Sequence, residues 1–214
     1  MAGTRVDRRV ERGNESRRLV LGHAAKVASV EGLEGLSLGR LAGELGLSKS
    51  GVFALFGAKE ELQLATVRAA AEVYVEHVVR PALRAPAGLG RVWRLCQSWL
   101  AYSEQRVFPG GCFFYAVAAE FDAREGAVRD AIARAQADWV RFVEQTITEA
   151  LDLGEAKRDT DVPQLAFEVI ALLEAANGLS LLHGDPDCYR RAATAVLSRL
   201  RAVATDPSAL PAVP

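Results

Sequence analysis

Residues 37–62 read SLGRLAGELGLSKSGVFALFGAKEEL, an order that suits two short helices crossing at a steep angle. Ser37 is a good N-cap for a helix over 38–45, and Ser48 for one over 49–55, because a serine oxygen accepts from the unpaired N–H groups of a first turn. So tight a junction needs a small residue where the helices touch, and Ala42 supplies it. It also needs a turn residue at ease with positive φ, and Gly46 supplies that. Leu41, Leu45, Leu47, Val52 and Phe56 fall where a shared core wants apolar groups. The second helix then turns its first residues outward, and Ser48, Lys49, Ser50 and Gly51 are small or polar. Such a tip can enter a duplex major groove, about 12 Å wide, without steric conflict. Free N–H groups at a helix start also favour phosphate. A compact helical subdomain with no nucleic-acid role is the plainer alternative.

Charge distribution is uneven. Residues 1–30 carry seven cations (Arg5, Arg8, Arg9, Arg12, Arg17, Arg18, Lys26) against three anions, a net +4; with −1 overall, the remaining chain is net −5. A basic end on an acidic body suits a head that binds a polyanion, and equally a solvated charged tail. Cys96, Cys112 and Cys188 are odd in number and far apart, without metal-ligand or secreted-disulfide spacing, so a reducing cytoplasm is expected. The charged N-terminus is not expected to serve as a signal peptide, and the uninterrupted apolar stretches fall short of the roughly 20 residues that span a bilayer.

Elsewhere the patterning is helical. Leu19, Val20, Ala24, Val27 and Ala28 recur at helical spacing over 15–30, and Gly32 and Gly35 then break the chain. A long helix opens at Lys59 and is expected to stop at Arg80, before Pro81. Further helices are expected over 89–105, 112–121, 125–151, 163–182 and 186–204, with Pro163 and Pro186 in first turns. No segment sustains strand alternation. The expected class is all-α with about nine helices: a three-helix head carrying the helix-turn-helix, then a helical C-terminal ligand-binding and dimerisation domain. The expected divisions are a flexible basic arm (1–13), the head (14–60), the body (61–206) and a frayed tail (207–214).

The run Ser37, Leu41, Ala42, Gly46, Leu47, Ser48, Val52, Phe53, Phe56, Lys59, Glu60 and Leu62 resembles the DNA-binding head of the tetracycline-repressor family. The likeness couples the turn to an aromatic pair and to the Lys-Glu that opens the fourth helix. Phe53 stands where that family commonly has tyrosine, and Leu55 where it commonly has histidine. The resemblance implies that Ser37 and Lys59 grip phosphates, that Ser48, Lys49, Ser50 and Gly51 face the groove, and that Phe53 keeps the ring without its hydroxyl. Arg17 and Arg18 would add contacts to phosphates or an adjacent groove. It further implies a homodimer on a palindromic double-stranded operator, released by a small, hydrophobic effector.

In the body, Trp93, Phe114, Tyr115, Trp139, Phe142 and Phe167 suit either a pocket for an apolar ligand or plain core. Glu174 and Asn177 lie on a mostly apolar helix, as the polar contacts of such a pocket or on a solvated or interface face. By the resemblance the last two helices form a dimer interface through Ala171, Leu172, Ala175, Ala176, Leu179, Val196 and Leu200. Cys112 reads as a sensor thiol or as core, and no cationic neighbour in sequence lowers its pKa. His23, His77 and His183 are isolated. Nucleophile elbows, triad spacings, phosphate loops and metal motifs are missing from the sequence, so neither an enzyme nor a cofactor is expected. A transcriptional activator, and a ligand-binding helical module without DNA activity, are the rival readings.

Overall fold

The computed structural model describes residues 3–212, with side chains from residue 10 onward. Its elements are α1 (Gly3–Glu31), α2 (Leu38–Glu44), α3 (Lys49–Phe56), α4 (Lys59–Tyr74), a π-helical stretch (Val75–Val79), α5 (Arg80–Leu83), α6 (Leu89–Glu104), α7 (Phe113–Phe121), α8 (Ala127–Asp152), α9 (Val162–His183), α10 (Asp187–Val203) and a closing 3₁₀ turn (Pro207–Ala209). Among the described residues there is no strand, only the isolated bridges Phe108–Gly111 and Ala156–Ala204. The all-α expectation holds, and each helix expected beyond residue 85 is present within a residue or two of its place. The N-terminal segment read as an arm is helical from Gly3, so α1 starts well before residue 15. Arginine and glutamate sustain a helix by propensity where no apolar face requires one.

The chain divides into two units: everything up to Glu72 with Phe108–Ile132, and Val73–Val107 with Ala133–Pro214. In the first unit, Val20, Ala24 and Ala28 form the buried seam of α1, whereas Leu19 faces solvent. Leu33, Leu36, Leu41, Ala42, Val52, Leu62, Phe113 and Val117 complete that core. α7 is tied to the end of α1 by polar contacts. The Glu120 carboxylate accepts the N–H groups of Leu33 at 2.7 Å and Glu34 at 2.9 Å. Ser29 Oγ accepts the Gly110 N–H at 3.0 Å and donates to the Lys26 carbonyl.

In the second unit, α6, α9 and α10 pack on one another. Tyr102, Leu95, Leu165, Leu173, Val196, Leu197 and Leu200 are fully buried there. Pro81 does not end the helix that begins at Lys59. The chain widens into the π-helical stretch, the Arg80 N–H reaches back to the Val75 carbonyl, and Pro81 falls in the first turn of α5. A missing N–H costs little there, and a π-bulge absorbs the register change. α6 ends in a Schellman closure: Arg106 N–H to the Ser103 carbonyl, Val107 N–H to the Tyr102 carbonyl. Arg106 thus sits at φ +52°. Glycine is usual at such a place, and a side chain costs about 1–2 kcal/mol. The tail is less frayed than expected. Leu210 is buried, and Arg201 Nη1 donates to the carbonyls of Leu210 and Pro211.

α9 is long and apolar enough to cross a bilayer by length and composition, unlike the short apolar runs read from the sequence. Two apolar faces explain this. One, with Leu165, Val169, Leu173 and Ala176, is core; the other, with Phe167, Ala171, Ala175 and Leu182, is exposed.

Candidate nucleic-acid interface

The crossed pair forms as its residues dictate. Ser37 is extended (φ −140°, ψ 127°), and its side chain accepts from the Arg40 N–H. Gly46 takes φ +65°. The Leu47 N–H reaches the Ala42 carbonyl at 2.8 Å, so α2 closes in a Schellman turn that a β-carbon would strain. Ser48 Oγ accepts the Gly51 N–H at 3.1 Å and caps α3. Leu41, Ala42, Val52 and Phe56 are buried, whereas Ser48, Lys49, Ser50 and Gly51 are exposed. Phe53 is exposed by 58 %, unusual for a ring unless it meets something outside the chain.

The cations are arranged differently from the expectation. Arg17 does not face outward. Its Nη1 donates to the Leu55 carbonyl at 2.7 Å and its guanidinium lies 4.6 Å from the centroid of the Phe56 ring. It clamps the C-terminal end of α3, a carbonyl-rich end that favours a cation. Lys59 is likewise engaged: Nζ contacts the Glu34 carbonyl at 2.7 Å and its carboxylate at 3.0 Å. Hydrogen bonds from Lys59 and then Gln63 hold the Glu34 carboxyl below its ordinary pKa, with Arg124 adding to the effect from 3.6 Å. The pair closes the loop between α1 and α2, and two of the three Lys59 N–H donors end on Glu34. Arg18 remains exposed. Arg12, which the sequence reading left in the arm, lines a groove beside the tip of α3 with Ser16, Leu47, Ser48, Gly51 and Leu55. Its signal lay in helical spacing, four residues ahead of Ser16, and only a helix that starts early reveals it.

Of the residues read as pocket aromatics, Phe114 and Tyr115 belong to the first unit, on α7. Phe114 is half-buried against Phe113 (5.3 Å between centroids, 82°), and Tyr115 is exposed. In the second unit Trp93 is buried, and Trp139 lies 5.3 Å from Tyr74 and 6.5 Å from Phe142. Phe167 is 69 % exposed on the outer face of α9. Asn177 is fully buried and accepts from Ser103 Oγ at 2.7 Å, which removes the solvated-face alternative for it.

Glu174 is half-buried, and burial alone raises its carboxyl above the ordinary value. A carboxyl raised on folding favours the fold while protonated, and that contribution fades as pH climbs through its folded value. Glu174→Gln is therefore expected to raise Tm near about pH 8 and to change little once carboxylates protonate, below about pH 4. Thermal melts of both proteins across pH test it; a shift independent of pH would refute it.

Three residues expected at a dimer interface are not available to one. Ala176, Val196 and Leu200 are buried in the chain's own core. Ala171, Ala175 and Leu179 are exposed, and Leu172 is half-buried. The exposed apolar row continues to Leu182, which no expectation included. The thiols are all buried; burial pushes Cys96 up to about 12, which makes it inert.

No curated protein matches the chain. Several solved structures share its fold. A TetR transcriptional regulator from Chloroflexus aurantiacus superposes with a TM-score of 0.81 at 24 % identity, over 87 % of this chain and 94 % of that one. A TetR-family regulator from Cytophaga hutchinsonii gives 0.76 at 23 % identity, over 91 % and 98 %. AibR, solved with isovaleryl coenzyme A and operator DNA, gives 0.64 at 19 % identity, over 84 % and 94 %. The profile of the family described as tetracyclin repressor-like, C-terminal domain, matches residues 88–196, about half the chain. The chain belongs to the TetR family of transcriptional regulators.

Proposed function

We propose that the chain is a cytoplasmic repressor that holds a palindromic operator as a homodimer and releases it when a small molecule binds in its body. The observation that carries the reading is the uncluttered tip of α3, with Ser48, Lys49, Ser50, Gly51 and Phe53 outward over a buried Leu41, Ala42, Val52 and Phe56. AibR, a fold relative, was solved with isovaleryl coenzyme A and operator DNA, which supports pairing the two activities on this architecture. The exposed row on α9 supports two-fold assembly, and a palindrome needs two heads one turn of DNA apart. Effector and DNA then oppose each other by linkage, with a coupling of about 1–3 kcal/mol.

Fluorescence anisotropy with the duplex upstream of the chain's own gene tests this against a scrambled duplex. Affinity for the upstream duplex is expected to be at least about a thousandfold greater at physiological salt. Equal affinities would overturn the proposal. Lys49→Ala is expected to weaken binding, with the salt slope falling by about one if Lys49 meets a phosphate. Lys59→Ala, engaged with Glu34, is expected to leave that slope nearly unchanged.

A further inference from the structure

Arg106 is half-buried, and its hydrogen-bond partners among the described residues are neutral. Nη1 donates to the Ser103 carbonyl at 3.3 Å and to the Tyr189 hydroxyl at 2.9 Å; Nη2 donates to Ser180 Oγ at 3.3 Å. Among the described residues it has no carboxylate within ion-pair distance, whereas Arg91, half-buried in the first turn of α6, pairs with Glu149 at 2.8 Å. A partly buried charge normally finds an opposite one.

The groups behind it are fixed in place. Ser103 Oγ lies 2.7 Å from Asn177 Oδ1 and 2.9 Å from the Tyr189 hydroxyl, which in turn accepts from Ser180 Oγ at 2.8 Å. All four residues are buried. Nη1 makes two of these contacts and Nη2 one, whereas Nε makes none among the described residues, and an Nε/Nη2 edge matches the two oxygens of a carboxylate. The backbone position is also one that glycine would fill more easily, so the side chain is held there against local preference. Ser180 and Asn177 lie on the buried face of α9, turned away from Phe167, Ala171, Ala175 and Leu182. A second copy laid on that row is therefore not the natural source of the missing anion.

We propose that Arg106 anchors the carboxylate of a small organic acid, so that the effector of this regulator is an anion. The assignment rests on the effector-released reading above and adds the charge of the effector to it.

Octanoate and benzoate, with octanamide and benzamide as neutral matches, serve as probes in isothermal titration calorimetry with the full chain, Arg106→Gln and Arg106→Gly. Far-UV circular dichroism checks that each variant is folded, and Arg106→Gly does so with its backbone relieved. The wild type is expected to bind at least one acid saturably and to prefer it over its amide by about tenfold or more, the worth of one charge-assisted contact. Both variants are expected to lose that preference while keeping whatever amide affinity exists. Absence of acid binding, or acid binding equal in wild type and variants, overturns the assignment. So does weakened self-association of the variants with unchanged acid affinity, which would give the guanidinium to a partner subunit. Operator release by an amide, equally from wild type and Arg106→Gln, keeps the effector reading and removes this one. Failure of the unliganded protein to bind its operator removes the regulator reading, while the acid-over-amide comparison still decides Arg106.

Discussion

Gly110→Ala is expected to cost the first unit about 3 kcal/mol or more. A β-carbon there would lie 1.7 Å from the Ser29 carbonyl oxygen and 2.4 Å from its carbon. Both are backbone atoms, so neither can step aside as a side chain would. The loop would have to lift from the end of α1 and give up the Gly110 N–H to Ser29 Oγ bond. Overpacking of this kind costs about 1–3 kcal/mol in a yielding site, and more where backbone meets backbone. Gly22→Ala is the matched control. It lies within α1 with nothing inside 4 Å of the new carbon, and is expected to stabilise by about 0.5–1 kcal/mol. Urea titration by circular dichroism reads both, with the midpoint shifting at constant m. A neutral Gly110→Ala would mean that the loop does not approach α1 so closely.

The second large effect concerns assembly. Phe167 is exposed by 69 % and Leu182 by 80 %, with Leu179 at 47 % between them on the same helix. Phe167→Asp with Leu182→Asp is expected to yield a folded monomer at micromolar concentration, since neither side chain supports the chain's own core. Operator affinity is expected to fall at least about a hundredfold, because one head alone approaches non-specific binding. Sedimentation velocity and anisotropy measure the two consequences on one preparation. A variant that stays dimeric would place the interface elsewhere.

What the sequence revealed and what it hid follow from the range of the forces involved. The caps at Ser37 and Ser48 and the turn at Gly46 act within a few residues, so their identities sufficed to place α2 and α3. The roles of Arg17 and Lys59 are long-range. Nothing near Arg17 announces the Leu55 carbonyl, and nothing near Lys59 announces Glu34. Read by composition alone, each was an available cation. In α9 the difficulty was different. Apolar residues lie on every side, so periodicity is silent about which are core: Ala176, expected at an interface, is buried, and Phe167, expected in a pocket or core, is exposed. Pro81 signalled a stop by its missing N–H, but the π-helical stretch before it moved that missing donor into a first turn.

The two N–H groups of Leu33 and Glu34 end on a carboxylate from α7, not on a helix carbonyl. Their deuterium uptake therefore records the opening of that clasp and little else, since no helical turn has to melt before they meet solvent. Mass spectrometry of the peptide that spans them would time how often α7 lets go of α1, amid helices whose own amides stay dark.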